Sequence, residues 1–263
     1  MTEDHRLQLT RDGAVATLTI NRPERLNALS YAMFARLPGL LAQLRAEAAG
    51  GLRALVLRGA GARAFSAGAD ISEFQAIRAT KEQTAAYDDA VLAAEEAVAS
   101  FPVPTIAAVH GACYGGGCAL AIACDVRFAA AGARFAITPA KLGIVYPLGS
   151  TKRLVDLVGP SRAKIILMTG ADFGAPRAQA LGLVDEVFSD PDTLDAGVRA
   201  FTALLSSRSG VTQRAAKQTV ARILDGAGRD DAAHAALRTA ALDSPDYAEG
   251  VRAFLERRPP VFE

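Results

Sequence analysis

The chain has 263 residues, of which 51% are hydrophobic, and its formal net charge is +1. This length fits one large domain that can bury a core without the help of disulfides. The near-neutral charge gives no reason to expect nucleic acid or a membrane as a partner, so any anion that binds must be held by local geometry.

The first half of the sequence alternates between strand and helix patterns. Short alternating or continuous apolar runs indicate strands, and apolar residues at helical spacing after a capping residue indicate helices. In chain order these patterns predict strands at 7–9 and 15–20, a turn at 21–24, a helix from Ser30 to about Ala48 ended by Gly50 and Gly51, a strand at 54–57, a small-residue loop at 59–68, a helix at 82–100 and a strand at 105–109.

The second half of the sequence becomes mostly helical. In chain order it predicts a glycine-rich turn at 111–117, an apolar helix to Cys124, a strand at 125–129, a loop rich in glycine and proline, helical structure from Gly159, a strand near 184–188, and helices at 192–207, 211–224, 231–242 and 246–257. The pattern predicts an α/β fold with a core over residues 1–200 and a helical C-terminal region over residues 201–263.

The cysteines and the N-terminus bear on the compartment. Cys113, Cys118 and Cys124 lie close together in an apolar stretch, at spacings that zinc sites do not use, and we interpret them as reduced core thiols with no metal. The segment 1–5 lacks the basic and hydrophobic regions of a signal peptide. No apolar run approaches the ~20 residues that span a bilayer. We therefore expect a cytoplasmic protein.

Three consecutive glycines, Gly115–Gly117, follow a buried strand and open a helix. Free backbone N–H groups and the helix dipole make such a turn an anion site. A dinucleotide fingerprint is excluded because Gly111 and Gly115 are four residues apart, and because Asp125 comes too early for a ribose contact. Glycine costs a helix about 1 kcal/mol relative to alanine, so the glycines serve either close packing against a strand or close approach of a ligand.

Three sequence blocks resemble the signature blocks of the crotonase (enoyl-CoA hydratase/isomerase) superfamily. They are NRPERLNAL at 21–29, AFSAGADI at 64–71 and VHGACYGGGC at 109–118, in the family's order and spacing, and the ending at 244–254 is also similar. The resemblance covers essentially the whole chain. It implies a ClpP/crotonase-like spiral of ββα turns, with a helical C-terminal region for trimerisation and assembly as a homotrimer or homohexamer.

The resemblance also implies the binding of an acyl-CoA thioester, with coenzyme A as part of the substrate and no separate cofactor. The matching positions would contact the nucleotide portion through Arg25, Leu26 and Ala28, and the adenine and pantetheine through Ala67, Asp70 and Ile71, while Phe262 would reach a neighbouring subunit's coenzyme A. For Asn27 and Asp70, hydrogen bonding within their own turns explains the residue type at least as well.

The oxyanion hole of the family would be formed here by the backbone N–H groups of Ala69 and Gly116. Two such donors stabilise the enolate charge that develops on a thioester oxygen, and one donor is typically worth about 3 kcal/mol. Backbone donors leave the identity of the side chain free, which suits alanine and glycine. The resemblance therefore implies chemistry that passes through an enolate.

The two glutamates with which hydratases of this family add water are absent. The first position holds Ala119, and the second holds Pro139 or Ala140, depending on whether the segment is aligned on Phe135 or on the proline. No glutamate occurs over residues 97–185. Water addition needs one group to activate water and another to deliver a proton, so the usual hydratase mechanism cannot run on these side chains.

Three functions remain open, and decarboxylation or isomerisation is favoured over hydration. The segment 138–146 resembles a loop of methylmalonyl-CoA decarboxylases and places Tyr146 at their tyrosine, although those enzymes carry a histidine near Ala69 and a glutamate near Ala119. Loss of carbon dioxide would generate the enolate directly. The third function is a protein that binds acyl-CoA without turning it over.

Isomerisation or atypical hydration would need a displaced proton donor. The candidates are Asp70, Glu73 and Tyr114. We interpret His110 as a packed core histidine and Asp125 as a structural carboxylate at a helix–strand junction. Few charges fall in the expected acyl region, which favours an apolar or small acyl chain.

A serine hydrolase is the least supported function. Ser66 and Ser150 both lack the G-x-S-x-G context of a nucleophile elbow. Neither serine is accompanied by a recognisable histidine partner.

Overall fold

The computed structural model describes residues 5–47 and 51–262. In chain order the strands are β1 (Leu7–Asp12), β2 (Val15–Ile20), β3 (Ala54–Gly59), β4 (Ala64–Ser66), β5 (Thr105–Val109), β6 (Ala112–Tyr114), β7 (Val126–Ala130), β8 (Arg134–Ala136), β9 (Phe173–Gly174) and β10 (Glu186–Phe188). The helices are α1 (Tyr31–Glu47), α2 (Phe74–Ile77), α3 (Lys81–Ala99), α4 (Gly115–Ala123), α5 (Pro139–Leu142), α6 (Leu148–Val158), α7 (Pro160–Thr169), α8 (Ala175–Leu181), α9 (Pro191–Ser206), α10 (Gly210–Leu224), α11 (Ala232–Leu242) and α12 (Pro245–Leu255).

Successive pairs of strands supply one strand to each of two sheets. The larger sheet has the order β1-β2-β3-β5-β7-β10, and the smaller has the order β4-β6-β8-β9. Strands β3, β5 and β7 run parallel in the larger sheet, and β4, β6 and β8 run parallel in the smaller one. Helices follow each pair, so the chain winds as the ββα spiral that the family resemblance implied.

The core lies on both faces of the larger sheet. One face packs against α1 and α3 through a large apolar cluster that includes Phe34, Leu41 and Val98. The other face is covered by α9, whose Leu194 and Val198 pack in a second cluster with strand residues. The predicted boundary at residue 200 therefore falls inside a helix that packs on the sheet, and the remaining helices, α10 to α12, follow it.

Capping residues set the starts of the long helices. Ser30 accepts a hydrogen bond from the Met33 N–H at 3.3 Å, which confirms the predicted cap of α1. Thr80 and Gln83 form a reciprocal capping box at the start of α3. The predicted end of α1 near Ala48 and Gly50, and the first four residues, lie outside the described residues.

None of the four strands of the smaller sheet was predicted, because β4, β6 and β8 have three residues each and β9 has two. Strands this short show no alternation, and the average strand has about 5–6 residues. The predicted loop at 59–68 was therefore wrong where β4 pairs with β6. These short strands are held by their neighbours in space rather than by a local pattern.

Helix α6 was also missed, since its segment was predicted to be a loop rich in glycine and proline. Pro147 precedes its first residue and Gly149 lies in its first turn, where both residue types are tolerated. Its apolar residues Leu154 and Val158 are buried. The correction matters because α6 packs beside α3 at the candidate site.

The four C-terminal helices agree with the predicted ones to within two residues at each end. Their signals are strong, because Asp190, Ser209, Asp231 and Ser244 each cap a helix with a side-chain oxygen. Across residues 5–47 and 51–262, no helix is both long and apolar enough to cross a bilayer.

Candidate active site

The site lies where the carboxyl ends of β4, β6 and β8 meet. Because these strands are parallel, the residues that follow them fall at one edge of the smaller sheet. A pocket of about 140 Å³ opens there, with Ala69, Gly116 and Pro139 among its lining residues. Whole small-molecule sites usually occupy about 300–1,000 Å³, so this pocket fits a small acyl group rather than an entire coenzyme A thioester.

The backbone N–H of Ala69 is free and faces the pocket side of its loop. The two neighbouring peptide groups are used by Leu29, whose N–H donates to the Gly68 carbonyl and whose carbonyl accepts from the Asp70 N–H, both at 2.8 Å. In this parallel bridge the Ala69 N–H points away from Leu29. It donates to no acceptor in the described part of the chain.

Gly116 presents the second donor from the first turn of α4, where N–H groups have no acceptor within the helix. A Cβ placed on Gly116 would lie 3.7 Å from the Ala69 nitrogen, so the two donors are neighbours. The same Cβ would come within 3.0 Å of the Phe34 ring. Two adjacent backbone donors at one pocket can hold a single oxygen that carries negative charge.

The consecutive glycines have separate reasons, so both explanations drawn from the sequence apply. A Cβ on Gly117 would lie 2.5 Å from the Cβ of Ser66, and therefore the packing of α4 on β4 requires glycine there. Gly116 instead lines the pocket, where a bound group can approach its backbone.

Asn27 ties the first sequence block to the loops of the second. Its buried amide donates to the carbonyls of Ala60 and Ala64 at 2.9 and 2.7 Å, and its Oδ1 accepts from the Arg22 N–H at 2.9 Å. Its φ of 56° lies in the left-handed region, which asparagine tolerates better than most residues. The amide is saturated, so Asn27 holds the loop in place.

Asp70 is a buried partner of Arg22 rather than a free acid. Its carboxylate accepts from Arg22 Nη2 at 2.9 Å and from the Ser72 hydroxyl at 2.6 Å. The hydrogen bond from Ser72 lowers the pKa of Asp70, and the hydrogen bond from Arg22 lowers it further. Burial opposes these effects, but the net pKa is still lowered. A carboxylate held ionised in this way is a poor proton donor.

The other displaced donors expected from the sequence also have partners away from the pocket. Glu73 accepts from the Tyr31 N–H at 2.9 Å and caps α1. Tyr114 donates to Asp172 at 2.7 Å, and partial burial, followed by that carboxylate, raises its pKa. Neither residue is among the described residues that line the pocket, so the structure does not bring these candidates to the acyl site.

The residues expected to contact coenzyme A fall in three places. Ala67 and Ile71 line the pocket beside the two backbone donors. Arg25 is exposed and Ala28 partly buried on the preceding turn, where Leu26 adopts a left-handed conformation with φ of 52°. Phe262 lies instead in a separate cavity of about 680 Å³ between the C-terminal helices.

The positions of the missing glutamates differ in their surroundings. Ala119 is buried within α4. Pro139 lines the pocket, whereas Ala140 is exposed. The alignment that starts from Phe135 therefore matches the geometry, and proline stands at the pocket-facing position.

Tyr146 lines the pocket with a partly exposed ring and a buried hydroxyl. This hydroxyl has no hydrogen-bond partner in the described part of the chain. Burial raises the pKa of Tyr146 well above its ordinary value, and the nearby charge of Glu95 raises it further. The hydroxyl is therefore a neutral donor that a bound ligand could engage.

Glu95 is a carboxylate in the pocket that the sequence interpretation missed. Helix α3 presents Tyr87, Asp88, Val91 and Glu95 to the pocket, at the spacing of one helix face. Glu95 is 1% exposed, and the Ser150 hydroxyl lies 2.7 and 2.9 Å from its two oxygens. Burial raises the pKa of Glu95, although the hydrogen bond from Ser150 opposes the rise.

The expectation of few charges in the acyl region was wrong. The pocket includes Arg78, Asp88 and Glu95. Arg78 pairs with Asp88 at 3.3 Å and stacks over the ring of Tyr87. These residues come from α3 and the segment before it, which lie between the second and third sequence blocks. A glutamate on the buried stripe of α3, beside Ala94 and Val98, was the available signal.

Other residues have the structural roles that the sequence predicted. His110 is buried, burial lowers its pKa, and it does not belong to the described pocket lining. Asp125 accepts from the Thr105 N–H and from Lys217 at the junction of α4 and β7. The three cysteines are free and buried.

Comparisons with known proteins agree with the fold. A family model described as enoyl-CoA hydratase/isomerase matches residues 10–263. The chain is 34% identical to 2,3-dehydroadipyl-CoA hydratase of Escherichia coli over 258 residues, with 98% of each chain covered. It is 32% identical over 262 residues to the peroxisomal Δ(3,5)-Δ(2,4)-dienoyl-CoA isomerase of Arabidopsis thaliana, covering 95% of this chain and 93% of that protein.

A solved structure of the same family also matches this fold. An enoyl-CoA hydratase/isomerase family protein from Hyphomonas neptunium superposes with a TM-score of 0.95 at 38% sequence identity, covering 100% of this chain and 99% of that one.

Proposed function

This chain belongs to the enoyl-CoA hydratase/isomerase family, and on that basis we propose that it is an acyl-CoA enzyme whose reaction passes through a thioester enolate. One observation carries the proposal. The free N–H groups of Ala69 and Gly116 lie side by side at a pocket sized for an acyl group. A thioester oxygen placed between them would gain negative charge as the enolate forms, and both donors would stabilise it.

Hydration of a 2-enoyl thioester is disfavoured by the lining of the pocket. Adding water needs a group that activates water and a second group that delivers a proton to the substrate. Ala119 and Pro139 supply neither group. Both relatives described above are named for enoyl-CoA chemistry, one as a hydratase and one as an isomerase, and the second name fits these side chains better.

Isomerisation of a carbon–carbon double bond is the reaction we propose. It moves one proton between two carbons of the same acyl chain, so a single acid–base group is sufficient. The pocket also holds two acidic residues, Asp88 and Glu95, and its one cation among the described lining residues, Arg78, already pairs with Asp88. This charge balance opposes the binding of an acyl group that carries its own carboxylate.

Decarboxylation of a malonyl-type thioester is the second candidate, and the Tyr146 hydroxyl favours it. A buried hydroxyl without a partner is costly unless something engages it. A substrate carboxylate or the departing carbon dioxide could accept its hydrogen bond. Tyr146→Phe should then abolish the release of carbon dioxide while leaving the fold intact.

A panel of three thioesters tests the proposal. Purified protein is incubated with a 3-enoyl-CoA, crotonyl-CoA and methylmalonyl-CoA, and the products are followed by mass spectrometry and absorbance. We expect conversion of the 3-enoyl-CoA to the 2-enoyl-CoA, and hydration of crotonyl-CoA at a kcat below about 1 s⁻¹, the low end of ordinary enzymes.

The panel has outcomes that contradict the proposal. Hydration of crotonyl-CoA at ordinary enzyme rates would overturn the argument from the missing glutamates. Tight binding of every thioester with no turnover would instead identify a protein that holds acyl-CoA without chemistry. Loss of carbon dioxide from methylmalonyl-CoA, removed in Tyr146→Phe, would establish the second candidate.

We extend the proposal to coenzyme A binding and to assembly. Arg25, Leu26 and Ala28 would contact the nucleotide outside the pocket, and the C-terminal helices would join subunits into a homotrimer or homohexamer. Large apolar side chains on α12 support the second point, since Phe254 is 83% exposed and Leu255 is 75% exposed. Light scattering should give three or six times the 27.4 kDa chain mass, and a monomer would contradict the assembly.

A further inference from the structure

A buried carboxyl group lies in the acyl pocket without a role in the family's usual machinery. Glu95 lies on the same face of α3 as Tyr87 and Val91, and all three residues line the pocket. Charged residues are almost never fully buried unless they are paired. The buried carboxylate of Glu95 has two partners, because Ser150 donates a hydrogen bond to it and Arg153 Nη1 lies 3.2 Å from it.

We propose that Glu95 is the catalytic base and acid of this site, replacing the glutamates that are missing at positions 119 and 139. The inference rests on the proposed function, because it assigns the proton transfer that isomerisation requires. Glu95 belongs to α3 and is held by α6 through Ser150. It would therefore act on the acyl chain from the α3 side of the pocket, which we call the helix side, whereas Ala69 and Gly116 belong to the loop side.

The isomerisation needs no reactant other than the thioester, because the same proton is removed and returned. The Glu95 carboxylate takes a proton from C2 of a 3-enoyl thioester, and the C2–H electron pair moves into a dienolate whose charge rests on the thioester oxygen. The N–H groups of Ala69 and Gly116 stabilise that oxygen. The Glu95 carboxylic acid then returns the proton to C4, the C2=C3 bond forms, and the C3=C4 double bond is lost.

The surroundings of Glu95 suit both protonation states. Arg153 and Ser150 on α6 stabilise the carboxylate, whereas burial and the neighbouring Glu96 favour the neutral acid. Tyr146 precedes α6 and stays neutral, Arg78 and Asp88 pair with each other in the pocket, and α4 contributes the Cys118 thiol near Tyr146. Burial is the largest of these influences and raises the pKa of Glu95 overall, which suits a group that must both take up and release a proton.

Glu95→Gln is the variant that tests the proposal, and Glu96→Gln is its matched control. Glu96 is the next residue on α3, also pairs with Arg153 at 2.6 Å, and is 64% exposed outside the pocket. Conversion of 3-hexenoyl-CoA to 2-hexenoyl-CoA is measured for both. A positioned general acid–base group contributes about 10²–10⁴-fold, so kcat should fall by about that factor in Glu95→Gln and stay near the wild-type value in Glu96→Gln.

The pH dependence of kcat in Ser150→Ala supplies a second readout that a structural role for Glu95 would not move. The hydrogen bond from Ser150 lowers the pKa of Glu95, so its removal raises that pKa. A base acts in its ionised form, and therefore the acidic limb of the profile should move to higher pH. This measurement holds even if Glu95→Gln does not fold.

The outcomes separate this inference from the proposed function. Equal kcat values in Glu95→Gln and Glu96→Gln, or an acidic limb that stays in place in Ser150→Ala, would overturn the role of Glu95 while the isomerase stands. A wild-type protein that acts on methylmalonyl-CoA alone would overturn the same role but keep the oxyanion hole. No turnover of any thioester by the wild type would overturn the proposed function itself.

Discussion

The two sides of the pocket are built in different ways. The loop side offers backbone N–H groups from Ala69 and Gly116, which lie directly after two short parallel strands. The helix side offers side chains, with Glu95 on α3 held by Ser150 on α6, fifty-five positions away in the sequence. The chemistry of the loop side depends on the path of the backbone, whereas the chemistry of the helix side depends on which side chain occupies each position.

This difference explains how the chain can keep one half of a mechanism and lose the other. A backbone donor survives most substitutions at its own position, so the loop side persists as long as the fold does. A side-chain acid can disappear by one substitution, as at Ala119 and Pro139. A replacement can then arise wherever another element faces the same pocket, and α3 is such an element.

On the loop side, the largest effect is expected from removing a backbone donor. Gly116→Pro deletes the N–H in the first turn of α4, where proline is tolerated. One oxyanion donor is worth about 10²–10³ in kcat, and a loss of that size is expected in steady-state turnover of 3-hexenoyl-CoA. Gly116→Ala is the control, because it adds the same Cβ near Phe34 but keeps the donor. Equal losses in both variants would show that only space matters at this position.

The scaffold of the loop side should depend on one buried amide. Asn27→Ala leaves the carbonyls of Ala60 and Ala64 without their donor. Each buried polar group left unsatisfied costs about 1–3 kcal/mol, so the free energy of unfolding in urea should fall by about 3 kcal/mol. Asn21 is the control, because its amide donates to the exposed carbonyl of His5, and its replacement by alanine should change stability little. If Asn27→Ala leaves the free energy of unfolding nearly unchanged, the Asn27 amide does not hold the loop in place.

The helix side should show the opposite sign in stability. Burial raises the pKa of Glu95 in the folded state, so the folded protein binds this proton more tightly than the unfolded chain does. Its contribution to stability is fully present below the unfolded pKa and is lost as the pH rises through the folded pKa. Glu95→Gln should therefore be at least as stable as the wild type at pH 8, with the difference vanishing near pH 4.

Urea unfolding at the two pH values measures this difference. Glu96→Gln again serves as the control, since its exposed carboxylate should show little change between pH 4 and pH 8. A Glu95→Gln protein that is clearly less stable than the wild type at pH 8 would indicate that the carboxylate is kept for an ion pair with Arg153 rather than for chemistry.

The loop side could be expected from the sequence because its blocks resemble those of a known family and each block is local. The block at 64–71 and the glycines at 115–117 each place a backbone group beside its own motif. The long helices were equally visible, since their caps and apolar stripes lie within one segment. The three-residue strands were invisible, because their pairing is decided by neighbours that are distant in the sequence.

The helix side could not be assembled from the sequence. Glu95 lies just outside the stretch that holds no glutamate, and Ser150 was assigned to a loop because Pro147 and Gly149 surround the start of α6. Nothing local links α3 to α6. They meet in the folded chain, where both also pack against α4.

A crystal structure with bound acetoacetyl-CoA, a stable mimic of a thioester enolate, tests the central claim most directly. The account predicts a thioester oxygen about 2.7–3.1 Å from the nitrogens of both Ala69 and Gly116. It also predicts an acyl C2 that faces the Glu95 carboxyl group. A thioester oxygen that contacts neither nitrogen, or an acyl chain that lies outside this pocket, would contradict the account.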